Sequence, residues 1–369
     1  MLIKDIITAI SEYLASKDII KMSMVCKDYK TILFTKNVLI NKWFTLRKEI
    51  LSLKFLQKLS YEIYNLDLNR NINIKDDDFM YLKNIRSLNM AFCNTGTITD
   101  NAFENLENIF SLNMEYCNQD TITDKAFKNL KGIYTLNMKY CWQDTITDKA
   151  FENLKGIHAL NMSCCVQKSI TDKAFEHLKG IHSLDISYCN QITDKAFENL
   201  KGVYTLNMMR CNQKTITDKA FENLQGIHSL NMSWCKQNTI TDNAFKYLKN
   251  IHTLNISYCK QITDKAFNKL KSIHTLDMSH CTQEAITDNT FTYLKSIHTL
   301  DMSYCTQETI TDNTFEHLKG VYTLNMSGCW QNTITDKIFE ILDFNNTNII
   351  RPIIFGSNSI TILKTIPMN

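Results

Sequence analysis

Two kinds of residue recur in this chain at spacings that would support chemistry. Cysteines stand at 93, 117, 141, 165, 189, 211, 235, 259, 281, 305 and 329, in steps of 24 residues except 189–211 and 259–281, where the step is 22. Histidines stand at 158, 182, 228, 252, 274 and 298, each at the second position of a copy of one motif. A file of thiolates could hold a metal or do redox chemistry. A file of imidazoles could bind a transition metal between neighbours, or repel itself once protonated below about pH 6.5.

Each file also has a plainer reading. One Cys per copy closes the strand side of its unit, where a small buried hydrophobe is wanted, and no C-x-x-C or Cys-His pairing converges on a point as zinc requires. Cys164 lies outside that slot, where most copies have an aromatic residue, and is the thiol expected to be most reactive. Tyr134, Tyr204 and Tyr322 replace His at the same position, which fits an amphipathic ring resting on a neighbour better than a metal ligand. The patterns G-x-x-x-x-G-K-[ST], H-E-x-x-H and G-x-S-x-G do not occur. The expectation is therefore no catalytic residue, no metal and no cofactor: the chain does not read as an enzyme.

Self-similarity at this period marks a solenoid. In the copy IHSLDISYCNQITDKAFENLKG, residues 181–202, Leu184 and Ile186 alternate with Ser183, Asp185 and Ser187, which predicts a half-buried strand. Thr193 and Asp194 can both cap a helix, whose buried face would be Ala196, Phe197 and Leu200. Gly202 ends the copy where a left-handed residue is wanted, and Gly or Asn fills that slot in nine of eleven copies. The Asp of each ITD is thus assigned to helix capping.

The pattern L/I-x-x-L-x-L/M-x-x-C-x-x-I-T-D-x-x-F-x-x-L resembles the cysteine-containing class of leucine-rich repeat. That resemblance implies an α/β solenoid, a horseshoe with an inner parallel β-sheet and outer helices. Eleven copies occupy residues 85–342, a degenerate copy with Asn71 in the cysteine slot occupies 63–84, and residues 343–369 would form a C-terminal cap.

Residues 1–45 follow a different pattern, with 46–62 as a linker helix. Leu2, Asp5, Ile6, Ile10, the pair Tyr13-Leu14, Asp18-Ile19, Val25-Cys26-Lys27 and Trp43 resemble the F-box family, a small all-α domain. Ile3 stands where that family has proline and Tyr29 where it usually has tryptophan. The resemblance implies docking on a Skp-type adaptor and, through it, a cullin ubiquitin ligase. Leu2, Ile3, Ile6, Ile10, Leu14, Ile19 and Val25 would supply adaptor and core contacts. The rival reading is a repeat module with a decayed F-box that sequesters a partner; a metal or redox protein using the two files is a third.

Composition narrows the partners. The chain of 369 residues is 44% hydrophobic and 21% charged, as a soluble folded protein would be. A net charge of +3, with 36 Lys against 5 Arg, argues against nucleic acid and an anionic membrane as partners. No apolar run reaches the roughly 20 residues of a membrane span, and MLIKDIITAISEYL lacks a signal-peptide cleavage site. Thirteen cysteines then point to a reducing compartment, cytoplasmic or nuclear. Abundant Lys, Asn and Ile suggest an AT-rich genome, of a protist or a large DNA virus of amoebae; a viral protein would act in its host cell.

What remains for function is surface. Three outward strand columns are expected: Ser/Thr; then Asn with Asp185, Asp277 and Asp301; then mostly Ser, with Glu115, Lys139 and Met209. Beside them runs a column of Phe92, Tyr116, Tyr140, Tyr188, Trp234, Tyr258 and Tyr304, broken by Cys164, Arg210, His280 and Gly328. Tyr, Trp and Arg are the residues of binding hot spots, though the same rings would also shield the strand ends. An unidentified target protein would be held on this face, with specificity set by the copies that depart from the consensus.

Overall fold

The central Leu of each copy is flanked by small polar residues, and this three-residue unit is the strand. In the computed structural model, residues 65–342 are described, together with the backbone of 43–45 and 348–350. The F-box-like segment up to residue 42, the expected linker helix 46–62 and most of the expected cap lie outside the described residues.

The chain divides into two compact units, residues 1–181 and 182–369. The first holds strands β1 (Trp43–Thr45), β2 (Asn65–Asp67), β3 (Ser87–Asn89), β4 (Ser111–Asn113), β5 (Thr135–Asn137) and β6 (Ala159–Asn161). The second holds β7 (Ser183–Asp185), β8 (Thr205–Asn207), β9 (Ser229–Asn231), β10 (Thr253–Asn255), β11 (Thr275–Asp277), β12 (Thr299–Asp301), β13 (Thr323–Asn325) and β14 (Asn348–Ile350). Within each unit neighbours pair in parallel and in sequence order, with Leu opposite Leu, as Leu112↔Leu136 and Leu254↔Leu276. The sequence placed every strand from β2 to β13. β1 adds a rung ahead of the degenerate first copy, at residues the F-box resemblance had claimed.

Each repeat closes around its own apolar set. Leu184, Ile186, Cys189, Ile192, Ala196, Phe197, Leu200 and Val203 are all at most 2% exposed. The Phe of each copy, from Phe79 to Phe315, is fully buried and forms the largest part of the core. Burying such a ring contributes about 1.5–3 kcal/mol. In two copies Thr290 and Thr314 replace the buried Ala; their hydroxyls donate to Asp264 and Asp288 of the preceding repeat at 2.5 and 2.6 Å.

The outer helices are shorter than the cap signals suggest. They are single α turns such as Asp124–Phe127 and Asp194–Phe197, or 3-10 runs such as Asp172–His177. Spacing explains this. Parallel strands sit about 4.8 Å apart, whereas packed α-helices need about 8–10 Å, so slim single turns follow the sheet with less splay. The end-of-copy turn also differs from expectation. Gly132, Gly156, Gly180, Gly202 and Gly226 take φ of +82 to +89°, but no Asn or Ser in that slot, nor Gly320, is left-handed.

Candidate protein-binding ledge

A set of hydrogen-bonded rungs builds the face that carries the candidate residues. The Asn or Asp ending each strand turns its Oδ1 back to accept the backbone N–H two residues on: Glu115 N to Asn113 at 3.1 Å, Ser187 N to Asp185 at 2.9 Å, Met209 N to Asn207 at 3.1 Å. Asp185, Asp277 and Asp301, expected among the partner contacts, each have the second oxygen engaged too, by Asn207, Asn255 and Asn325 at 2.9, 2.7 and 2.8 Å. The Ser column expected to face outward is largely covered. Ser163, Ser187, Ser233, Ser257 and Ser303 are at most 7% exposed, and Ser187 folds its hydroxyl onto Asp185.

The residue after this column is the unusual one. Arg70, Phe92, Tyr116, Tyr140, Cys164, Tyr188, Arg210, Trp234, Tyr258, His280 and Tyr304 all have φ between +57 and +64°. Each is the third residue of a turn closed by the following residue, Asn71 after Arg70 and Cys elsewhere, whose N–H donates to the carbonyl three residues back, as Cys189 to Ile186 at 3.0 Å. That position favours Gly or Asn, and a side chain there costs roughly 1–2 kcal/mol. Only Gly328 conforms, and a Cβ there would come within 2.5 Å of the Tyr304 ring.

Stacking between rungs offsets the strain. In the first unit Phe92, Tyr116 and Tyr140 stack at 4.7 and 4.3 Å, with Trp142 edge-on to both tyrosines. The Tyr140 hydroxyl, bonded to Cys164 and beside it, is pushed up to about 12. Lys139 lies 3.9 Å from Glu115 and 5.2 Å from the Tyr140 ring centre. In the second unit Arg210 inserts between Tyr188 and Trp234, and Trp234, Tyr258, His280 and Tyr304 follow at 3.8, 4.1 and 4.5 Å. Lys236, which the sequence reading did not single out, places its ammonium 4.2 Å from the Trp234 ring centre.

The histidine file is a second stack. Phe110, Tyr134 and His158 stack at 4.6 and 4.4 Å in the first unit. His182, Tyr204, His228, His252, His274, His298 and Tyr322 do so at 4.5–4.9 Å in the second. Nitrogen lone pairs lie in the ring planes, so parallel rings hold them side by side rather than convergent on one ion. No group of three or more His, Cys, Asp or Glu suited to a metal occurs among the described residues.

The cysteines are more than apolar filler. Each thiol donates to a carbonyl of the preceding repeat: Cys117 to Met90 at 3.1 Å, Cys211 to Ile186 at 3.2 Å, Cys305 to Met278 at 3.1 Å. Burial pushes Cys93 up to about 11 and Cys281 and Cys329 up to about 12, so these thiols stay protonated and inert. Cys164, expected to be the reactive one, is only 8% exposed. A Gln stands two residues after every ladder Cys from Cys117 on, and in the middle of the array it adds a further rung, as Gln143 Nε2 to the Cys117 carbonyl at 3.1 Å, whereas the amides of Gln307 and Gln331 make no such bond.

The ITD motif divides its work differently from expectation. Thr is the cap: Thr193 Oγ1 accepts the Lys195 N–H at 3.3 Å. Asp194 reaches forward instead, accepting both the N–H and the hydroxyl of Thr217 in the next repeat at 2.7 Å. The same clamp joins Asp100 to Thr123 and Asp264 to Thr287.

Comparison with known proteins agrees with this architecture. The profile of the BspA type leucine rich repeat region matches in six copies over residues 48–176, 122–252 and 238–364, so the repeats are of that type. No curated protein matches the sequence significantly. Among solved structures, TLR13 bound to ssRNA13 is similar with TM-score 0.59 and 20% identity, over 78% of this chain and 41% of that one. Toll in complex with Spatzle, from Drosophila, gives 0.60 and 16%, over 79% and 40%. The present chain therefore spans about two fifths of those receptors. Rad7 in complex with Elc1, from yeast, gives 0.55 and 16%, over 94% of this chain and 91% of that one. Among the described residues, no helix is long and apolar enough to cross a membrane.

Proposed function

Since the chain belongs to the BspA-type leucine-rich-repeat proteins, we propose that its ledge holds a protein target and that its N-terminal segment docks the target to a ubiquitin ligase. The observation that carries the first half is the column from Arg70 to Tyr304: in eleven consecutive copies a residue other than Gly, bulky in all but Cys164, occupies a left-handed position that favours Gly. Local preference does not put them there. Rigid Tyr, Trp and Arg side chains in register are what a protein partner needs for contact. Arg210, Trp234 and His280 in this column, with Glu115, Lys139 and Met209 in the column beside it, depart from the consensus and would set specificity.

The second half rests on the F-box-like residues Leu2, Ile6, Ile10, Leu14, Ile19 and Val25. A similarity in extent to Rad7, which is seen with Elc1, is consistent with it. The action would be proximity: a bound target gains effective concentration beside the ligase's conjugating subunits. In a large DNA virus of amoebae the target would be a host protein. Full-length protein expressed in a eukaryotic cell should co-purify with a Skp-type adaptor and cullin, and Ile6→Asp/Ile10→Asp should abolish this. Recovery of neither subunit would leave the second reading, a sequestering module, which Ile3 in the proline position favours.

A further inference from the structure

The ledge of the second unit carries two cations that no acid answers. The Arg210 guanidinium carbon lies 4.3 Å from the Trp234 ring centre and 5.3 Å from that of Tyr188. The Lys236 ammonium lies 4.2 Å from Trp234 and 5.6 Å from Tyr258. Among the described residues neither has a carboxylate within the 4.0 Å of an ion pair, in contrast to Lys139 with Glu115. Arg210 Nε is buried without a hydrogen-bond partner. The acid one strand away, Asp185, faces Asn207 in register and spends its oxygens on Ser187 and Asn207.

A guanidinium half out of water with an unanswered N–H is costly, and a bound anion removes the cost. We infer that Arg210, Trp234 and Lys236 form the anchor for an acidic segment of the protein target, with Asp or Glu carboxylates on the two cations and the indole as apolar wall. The inference rests on the ledge being a protein-binding surface and names the chemistry it recognises. Carboxylates fit better than phosphate. Phosphate sites draw on clusters of arginine, and the chain has 5 Arg among 41 basic residues, one of them here.

The test is selection of displayed random peptides on the full-length protein, followed by anisotropy of labelled winners at 0.15 M salt. Arg210→Ala/Lys236→Ala is compared with Lys131→Ala/Lys155→Ala, which removes equal charge from exposed positions after two helical turns. Acidic winners that lose about tenfold or more in affinity on the first variant and less than twofold on the second are expected, with thermal unfolding unchanged. Winners without Asp or Glu, or indifferent to the first variant, overturn the anchor but leave the ledge as a binding surface. Winners that bind only with phosphoserine in place of Glu overturn the carboxylate assignment. A selection that yields no binder overturns the anchor and the ledge reading together.

Discussion

The two units carry the same ledge in opposite electrical condition. In the first, Glu115 and Lys139 sit on neighbouring rungs 3.9 Å apart, beside an unbroken stack of Phe92, Tyr116 and Tyr140. In the second, Arg210 interrupts the stack, Lys236 leans on Trp234, and neither has an acid within ion-pair distance among the described residues. The rims differ in the same direction: one His follows Phe110 and Tyr134 in the first unit, whereas four consecutive His stack in the second. Framework and cargo are thus separable. The rungs follow one pattern, and the side chains displayed on them differ.

The strongest test of that separation lies in the core. Phe127→Ala and Phe245→Ala, both fully buried, should each cost about 3–5 kcal/mol by urea denaturation. Equal losses mean the units share one framework; a gap of more than about 1.4 kcal/mol, a tenfold change in the equilibrium constant, would mean they do not. Next come the clamps between repeats. Asp124→Ala and Asp218→Ala each leave a Thr N–H and hydroxyl without their acceptor, at about 1–3 kcal/mol, again equally.

On the ledge the units should part company. Tyr116→Gly and Trp234→Gly each relieve a left-handed residue but lose a stack, two effects of roughly 1 kcal/mol that nearly cancel. Stability should barely move in either variant, while target binding should fall more for Trp234→Gly. Glu115→Gln converts the first ledge toward the second by freeing Lys139. Its effect on stability is at most about 0.5 kcal/mol, and its readout is new affinity for acidic peptides.

The smallest effect concerns pH. His274 is lowered below its ordinary 6.5, by desolvation first and then by His252 and His298. A lowered value favours the neutral ring, so its contribution is whole above the unfolded value and is lost as pH falls below it. His274→Tyr should flatten the decline in melting temperature between pH 7 and 5. No change in slope would show that the stack is indifferent to charge.

Strand positions were legible because Leu184 between Ser183 and Asp185 is a pattern that one-sided burial writes directly into residue type. Helix length was not, since Thr193 and Asp194 announce a start and nothing local announces a stop after one turn. The left-handed column was hidden because Tyr188 and Trp234 carry no signature of positive φ; Gly328 in the same column was the one available clue. Asp194 reads as a cap from its own copy, and its true partner, Thr217, belongs to the next. Lys236 was missed because a lysine in a loop is common, and only its distance from Trp234 distinguishes it.

The clamps have one further property. In every side-chain rung named above that joins a copy to the one before it along the core and the outer turns, the later copy donates and the earlier one accepts: Thr217 to Asp194, Cys211 to Ile186, Gln143 to Cys117. Each copy thus presents a standard socket to the copy after it and a standard plug to the copy before it. The copy shortened by two residues still engages, Thr263 reaching Asp242 at 2.9 and 2.6 Å. A gene encoding such a chain can gain or lose whole copies by unequal recombination without orphaning a bond, so the length of the array is free to drift while its joints stay constant.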